Sequence, residues 1–418
     1  MTAELDDILA PGGVISQRMP GFEPRPQQLD MARGVAEAFE VREHLIVEAG
    51  TGVGKSFAYL VPAILSAVGG ESKRRVVVST YTIALQEQLI RKDLPFLREA
   101  MPHKFTAVLG KGRQNYICFR RLGLAIKARD KLFTQWAQQE QLMELSQWAM
   151  ETDAGSLQDV NFAVDRSVWE KVRSEPGSCQ AAKCPTYGKC HLQAARKRML
   201  GADILVVNHA LFFSDLALKG GSEIQPRLLG EYDLAILDEA HTVEQVAGEH
   251  FGRSVSNASV EYLLRDLYND QTDRGILAIM GDGDAISAVN RAANAAEGFF
   301  TGLAEYAGPG IAPNGRLREP GLISNELSPA LMELARLLDK ARKGVQDDDR
   351  RFELITAKTK AEELARDIDR LIGQADESHA YWRSIRQRGR RPAVTLASQP
   401  IDVRSEEHTS ELQSLGYI

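Results

Sequence analysis

A glycine-rich stretch near the N-terminus constrains this chain most. Residues 48–56 read Glu-Ala-Gly-Thr-Gly-Val-Gly-Lys-Ser and follow the apolar run 45–47. Glycine lets the backbone turn its N–H groups onto phosphate oxygens, which a Cβ would obstruct. The lysine of such a loop reaches the β- and γ-phosphates, and the serine hydroxyl binds Mg²⁺. The pattern predicts a nucleoside triphosphate site between a buried strand and a helix, formed by Ala49, Gly50, Thr51, Gly52, Val53, Gly54, Lys55 and Ser56.

One position of this loop departs from the general pattern. Ala49 stands where that pattern has glycine. The apolar residues 57–65 that follow predict a helix, and the positive end of that helix would face the nucleotide. A strand before the loop and a helix after it make a chance match the weaker interpretation.

A pair of acids far downstream supplies a candidate for the second half of the site. The apolar run 234–237 leads directly into Asp238 and Glu239. A buried parallel strand delivers such acids to the carboxyl edge of its sheet. Asp238 would then hold Mg²⁺ together with Ser56, and Glu239 would orient and deprotonate the attacking water. The alternative is a strand that ends in a solvated acidic turn.

Composition bounds the class of protein. At 418 residues the chain can form two or three domains with a large core. No apolar run is long enough to predict a membrane span. The acidic N-terminus lacks the layout of a secretory signal, so the cytoplasm is the expected location. The net charge of −6 does not exclude nucleic acid, because local patches attract phosphates.

The four cysteines of the chain fall in one interval, at Cys118, Cys179, Cys184 and Cys190. Cytosolic proteins rarely use disulfides, so clustered thiols indicate a metal site. Structural zinc usually takes two close pairs of ligands. One distant ligand with three loosely spaced ones favours a cubane iron–sulfur cluster, and zinc remains the alternative.

Several motifs in this order resemble the DinG/XPD family of superfamily 2 iron–sulfur helicases, and within it the bacterial DinG and YoaA type. Alanine is common in that superfamily at the position of Ala49. The matching segments are Arg-Pro-Gln-Gln at 25–28, the loop from Ala49, the strand 76–80 with Leu-Gln-Glu-Gln-Leu at 85–89, the run 110–118, the run 206–212, and Asp-Glu-Ala-His at 238–241.

The resemblance implies an activity and its cofactors. It implies an ATP-dependent DNA helicase that uses ATP and Mg²⁺ and carries a [4Fe–4S] cluster on the four cysteines. Gln28 would read the adenine edge. Lys55, Asp238, Glu239 and His241 would be the catalytic residues.

The resemblance also implies the partners. They are single-stranded or forked DNA, contacted around Thr80, Gln86 and Asn208, and single-strand-binding or replisome proteins. It further implies 5′→3′ translocation by a monomer, in DNA repair or replication-stress tolerance, without a membrane partner.

Alternating β-like and helical runs predict an α/β fold with a parallel sheet covered on both faces. The β-like runs are 45–48, 76–80, 106–109, 204–208 and 234–238. By the resemblance, a RecA-like motor domain occupies 1–110 and 201–250, with an iron–sulfur cluster domain at 111–200. A helical Arch-like domain covers 251–390, and a strand in 391–403 returns to the motor sheet. The basic run 386–391 is interpreted as a solvated turn.

The C-terminal segment has a different character. Residues 404–418 resemble a translated sequencing-library adapter and are excluded from structural reasoning. No second motor domain follows the acids, so we expect a truncated helicase that binds nucleotide poorly and turns it over slowly. Two other function classes compete. One is a redox-sensing DNA-binding module with a vestigial ATPase, and the other is a transporter ATPase, whose Leu-Ser-Gly-Gly-Gln signature is missing.

Overall fold

The computed structural model describes residues 2–19, 21–50, 52–70, 73–219, 228–388 and 391–401, and the backbone of 416–417. Thr51 of the glycine-rich loop and nearly all of the segment 404–418 lie outside the described residues. The chain divides into two compact units. The first unit comprises Met1–Gly112, Gln193–His250 and Val403–Ile418, and the second comprises Arg113–Leu192 and Phe251–Asp402.

Helices form about half of the described residues. In order they are α1 Thr2–Leu9, α2 Val14–Arg18, α3 Pro26–Val41, α4 Lys55–Val68, α5 Ile83–Gln88, α6 Leu94–Ala100, α7 Phe119–Lys127, α8 Arg129–Leu132, α9 Trp136–Glu151, α10 Arg166–Val172, α11 His191–Leu200, α12 His209–Lys219, α13 Val243–Phe251, α14 Asn257–Leu267, α15 Ile276–Met280, α16 Gly283–Glu305, α17 Leu327–Lys343 and α18 Asp348–Gly373. A π-helical turn, Leu89–Asp93, joins α5 to α6.

The strands belong to two sheets. They are β1 Val76–Thr80, β2 Ala107–Leu109, β3 Ile204–Asn208, β4 Leu234–Leu237, β5 Arg253–Ser256, β6 Arg316–Leu317, β7 His379–Arg388, β8 Arg391–Pro400 and β9 Gly416–Tyr417.

The first unit is built on a parallel sheet with strand order β2-β3-β1-β4-β9. Val76 lies opposite Ile204 on one side and Leu234 on the other, so the three central strands run in register. β1 is buried along its whole length, which accounts for the three consecutive valines with which it begins. The predicted α/β class with a parallel sheet is confirmed. The carboxyl ends of β1, β3 and β4 meet at one edge, where the candidate site lies.

The predicted strand at 45–48 is wrong. Residues 43–50 form no strand, and Ile46 is 96% exposed. A strand needs a neighbour with free backbone N–H and C=O groups. β4 pairs with β1 on one side and with the Gly416–Tyr417 backbone on the other, so it offers no edge to this segment.

The predicted return of 391–403 to the parallel sheet is also wrong for the described part. β8 pairs antiparallel with β7 over ten residues and with β5 on its other side. Only two residues separate β7 from β8, and so short a connection favours a hairpin with the preceding strand. The second unit therefore holds its own antiparallel sheet, in the order β5-β8-β7-β6.

Apolar helix faces build the core of the second unit. Leu327, Leu331, Leu334 and Leu338 of α17 are buried at helical spacing. They share one hydrophobic cluster with the inward faces of α14, α16 and α18 and with Leu396 of β8.

Polar contacts connect residues 113–192 to the helices that follow in the second unit. Arg120 Nη1 donates to Asp349 Oδ1 of α18 at 2.8 Å. The hydroxyl of Thr356, on the same helix, donates to the carbonyl of Gly177 at 2.8 Å. The exact domain boundaries given above stay predictions. Across the described ranges, no helix combines the length and the apolar character that crossing a bilayer requires.

Candidate nucleotide site

The glycine-rich loop is held in place by its own glycine and by a glutamine from α3. Gly54 precedes α4 with φ +87°, a left-handed conformation that side chains disfavour. Gln28 Nε2 donates to the Gly54 carbonyl at 2.8 Å. A Cβ on Gly54 would lie 2.1 Å from that nitrogen. Gln28, predicted to read adenine, thus holds the backbone of the loop in this structure.

The predicted loop and the predicted acids lie together. Lys55, the first residue of α4, has its Nζ atom 3.6 Å from Glu239 Oε1. Tyr59, one helical turn further along α4, donates from its hydroxyl to Asp238 Oδ2 at 3.3 Å. The N-terminal end of α4 therefore faces the carboxyl end of β4, and it is the end that attracts anions.

The backbone after β4 is strained where the two acids lie. Glu239 has φ 58° and ψ 44°, in the left-handed region that non-glycine residues rarely adopt. Such conformations persist where the surrounding structure imposes them, and they cluster at functional sites. At this left-handed residue the Glu239 carboxylate lies beside Lys55. His241, a predicted catalytic residue, is 74% exposed, and its Nδ1 lies 3.5 Å from Glu239 Oε2.

Burial sets the electrostatics of this corner. It raises the pKa of Asp238, and the adjacent charge of Glu239 raises it further, while Tyr59 and Lys55 oppose the shift. Burial and the Asp238 charge hold the pKa of Tyr59 well above its ordinary value. Asp238 and Glu239 are adjacent carboxylates that are partly shielded from water, and a bound cation would offset the repulsion between them. These oxygen ligands therefore suit Mg²⁺.

Two residues near the site were not identified from sequence. Tyr59 is 2% exposed and Asp93, at the end of the π-helical turn, is 6% exposed. Burial raises the pKa of Asp93, and hydrogen bonding from Gln88 and from the predicted magnesium ligand Ser56 opposes the shift. The available signal was weak. Asp93 directly follows Arg91 and Lys92, a context typical of a solvated acid, and the π-turn that marks its position is seen only in the structure.

The residues predicted to contact DNA lie at the same sheet edge. Thr80 and Gln86 are buried, and Asn208 Oδ1 accepts from the Leu211 N–H at 2.8 Å, which caps α12. His209, also buried, places Nδ1 2.7 Å from the Ser79 hydroxyl. The Ser79 carbonyl in turn accepts the Asp238 N–H at 2.8 Å. This edge therefore connects β1 and β3 to the acids by hydrogen bonds.

The four cysteines all lie half-buried in the second unit, and none of them is part of a disulfide. Cys118 precedes α7, and its N–H donates to the Val172 carbonyl at 2.8 Å. Cys184 and Cys190 each follow a short 3₁₀ turn. Within the part of the chain that the structure describes, no three His, Cys, Asp or Glu side chains are gathered around a point where they could hold a metal.

Comparison with known proteins gives three informative relatives. The ATP-dependent DNA helicase YoaA of Escherichia coli is 36% identical over 338 residues, which are 80% of this chain and 49% of that protein. YoaA of Haemophilus influenzae is 35% identical over 267 residues, 63% of this chain and 40% of that protein. The ATP-dependent helicase DinG of Mycobacterium tuberculosis is 38% identical over 237 residues, 53% of this chain and 34% of that protein.

The chain spans half or less of the length of each of these relatives. No family model matches it. The solved structure of S. tokodaii Xpd4 covers 94% of this chain at a TM-score of 0.45 and 11% identity, too low to bear on the fold. Sequence identity of 35–38% with three helicases nevertheless confirms the resemblance that the motifs indicated. The chain is a homologue of the ATP-dependent helicases named YoaA and DinG.

Proposed function

We propose that this chain is the nucleotide-binding half of an ATP-dependent DNA helicase motor that moves along single-stranded DNA. The observation that carries the proposal is the 3.6 Å approach of Lys55 Nζ to Glu239 Oε1. It brings the phosphate loop and the acids, far apart in sequence, to one sheet edge. The relatives named as ATP-dependent DNA helicases support ATP and DNA as its ligands.

The roles follow from what each group can do there. Loop N–H groups and the start of α4 would bind the phosphates, and Ser56 with Asp238 would hold Mg²⁺. Lys55 neutralises Glu239 in this structure. With a γ-phosphate bound, Lys55 would pair with the phosphate instead, which frees the Glu239 carboxylate to orient and deprotonate water. Nucleotide binding would thus prepare the base for the reaction.

Two variants test these roles against a matched control. In Lys55→Ala, binding of a fluorescent ATP analogue with Mg²⁺ should weaken at least tenfold, because the phosphates lose their cation. In Glu239→Gln, binding should persist while hydrolysis is lost. Lys104→Ala removes an exposed lysine of the same unit and should change neither. Undiminished ATP binding by Lys55→Ala would refute the proposal.

The effect of DNA on ATP hydrolysis distinguishes a helicase motor from a redox-sensing DNA-binding module. A motor half should hydrolyse ATP faster with single-stranded DNA present, since relatives named DNA helicases act on DNA. Hydrolysis that DNA does not change would favour a redox-sensing DNA-binding module with a vestigial ATPase.

We also propose that Cys118, Cys179, Cys184 and Cys190 hold a [4Fe–4S] cluster. The donor set supports this, since the four thiols form no disulfide, are partly accessible and lie within one unit. Because they are not gathered around one point among the described residues, binding would require the segment 179–190 to rearrange.

Metal analysis tests the cluster. Anaerobically purified chain should absorb near ~400 nm and contain iron and sulfide, and Cys190→Ser should lose the absorption. Stoichiometric zinc in a colourless protein would contradict this assignment.

A further inference from the structure

Two cavities adjoin each other beside β6 and β7 in the second unit. They measure about 450 Å³ and 580 Å³, and both are lined by Ala312 and Asn314. The first, the basic cavity, is further lined by Arg316, Arg318, Gln374 and His379. The second, the aromatic cavity, is further lined by Tyr306, Trp382, Arg383 and Ser384.

The basic cavity offers two uncommitted cations. No ion pair or side-chain hydrogen bond among the described residues engages the guanidinium group of Arg316 or of Arg318. The nearby carboxylate of Asp376 is committed, since it lies 3.1 Å from His379 Nδ1 and accepts from the Ser378 hydroxyl at 2.6 Å. Free guanidinium groups in a concave site favour phosphate, which they bind through paired N–H donors.

The aromatic cavity presents two rings that the structure holds in place. The Tyr306 hydroxyl donates to the Pro309 carbonyl at 2.9 Å. Trp382 packs against the hydrophobic core of the second unit. Arg383 is structural here, because its guanidinium group donates to the carbonyls of Leu303 and Ala304 at the end of α16. Fixed aromatic faces bind nucleobases by stacking, with little dependence on sequence.

The loop 312–315, which lies between the two cavities, is hydrogen-bonded to β7. Arg383 N–H donates to the Gly315 carbonyl at 2.9 Å. Gly315 has φ +87°, and a Cβ there would lie 2.3 Å from the Arg383 carbonyl oxygen. A loop held this closely loses little further freedom when a ligand binds, so the site is preorganised.

We propose that these cavities form a second nucleic-acid site, which binds one nucleotide of a single-stranded DNA. Its base stacks on Tyr306 or Trp382, and its phosphate lies between Arg316 and Arg318. The choice of DNA rests on the helicase function proposed above. The recognised chemistry, a nucleobase joined to a phosphate, is shared by a DNA strand and a free nucleotide.

Photocrosslinking of the unmodified chain tests the placement directly. An oligodeoxynucleotide with 5-iodouracil at each position is bound and irradiated, and the linked peptides are sequenced. Crosslinks to Tyr306 or Trp382 are expected. Crosslinks found only elsewhere in a folded, DNA-bound chain would overturn the proposal.

Competition identifies the source of the ligand. If the site takes a DNA strand, unlabelled oligodeoxythymidine should abolish these crosslinks at far lower concentration than thymidine monophosphate does. Equal potency of the two would support the site and assign it to free nucleotides. Inorganic phosphate should compete weakly, since it offers no base to stack.

A charge variant measures the contribution of the arginines. Binding of labelled oligodeoxythymidine is followed by fluorescence anisotropy at several salt concentrations. Losing the contacts to one phosphate should lower the salt slope by about 0.7, or about 2.6-fold in affinity over a fourfold salt range. The Arg316→Gln/Arg318→Gln variant should show this loss. Arg336→Gln, which removes a charge from α17 of the same unit, should not. Equal slopes for both variants would overturn the proposal.

The site and the proposed motor function can fail separately. Lys55→Ala should lose ATP binding and keep the crosslinks at Tyr306 or Trp382. The double arginine variant should keep ATP binding. Loss of the crosslinks with ATP binding intact would be a failure of this site alone.

Discussion

Arg120 connects the segment before Cys179 to α18. Replacing it should measure how much this connection contributes to the stability of the second unit. Its side chain is 4% exposed. Nη1 donates to Asp349 Oδ1 at 2.8 Å, and Nη2 donates to the Ser178 carbonyl at 2.7 Å. The guanidinium group also lies over the Phe352 ring, 5.7 Å from its centre. Arg120→Met keeps much of the length and apolar contact of the side chain while removing every polar interaction.

The magnitude follows from the bonds lost. Both hydrogen bonds have the charged guanidinium group as donor, and a hydrogen bond that involves a charged group contributes about 1.5–3 kcal/mol. The Asp349 side chain is 36% exposed, so water can solvate its carboxylate again, and the lower part of that range applies to this bond. The Ser178 carbonyl loses its donor in a buried place. We expect the free energy of unfolding of the second unit to fall by about 2–4 kcal/mol.

Tryptophan fluorescence in urea is a suitable assay, because all four tryptophans of the chain lie in the second unit. Arg129→Met is the matched control. It removes an exposed arginine whose pair with Asp130 is solvated, and such pairs contribute about 0–1 kcal/mol. If Arg120→Met costs no more than this control, the contacts of Arg120 do not hold the segment, and the reasoning is refuted.

Three further outcomes are expected. Gly54→Ala should abolish binding of the ATP analogue with little change in the secondary structure measured by circular dichroism, because a Cβ displaces Gln28 and strains the loop; retained binding would contradict this. Gly315→Ala should destabilise the second unit by about 1–3 kcal/mol in the same urea assay, because a Cβ strains this left-handed residue and meets the Arg383 carbonyl oxygen. An unchanged unfolding midpoint would show that the loop is not held to β7 at this residue. Burial lowers the pKa of His209 and of His250 in the folded protein. In the unfolded chain a histidine has a pKa of about 6.5, so below that pH the unfolded state binds more protons than the folded state. The first unit should therefore lose stability as the pH falls through about 6.5. Hydrogen exchange of β3 at about pH 7.5 and about pH 5.5 measures the loss, and His209→Gln should reduce it; a pH-independent exchange free energy would contradict the assignment.

Much of the first unit could be predicted from local patterns. The strands at 76–80 and 204–208 and the helix after the loop were found, because a short apolar run and a glycine-rich turn are properties of adjacent residues. The strand at 45–48 does not form, and the strand at Arg391–Pro400 forms but joins a different sheet from the one expected, because strand pairing depends on which backbone edge is free. The domain boundaries, the residue roles and the cluster stay predictions.

The order of the motifs by itself indicated the class of this protein, since a phosphate loop and an acid pair require particular residue types at particular spacings. Only the tertiary structure decided that Lys55 lies beside Glu239, that Tyr59 and Asp93 lie near them, and that β8 belongs to a separate sheet. The physical reason is range. Loop and helix chemistry acts between residues close in sequence, whereas ion pairs, burial and strand edges join residues that only folding brings together.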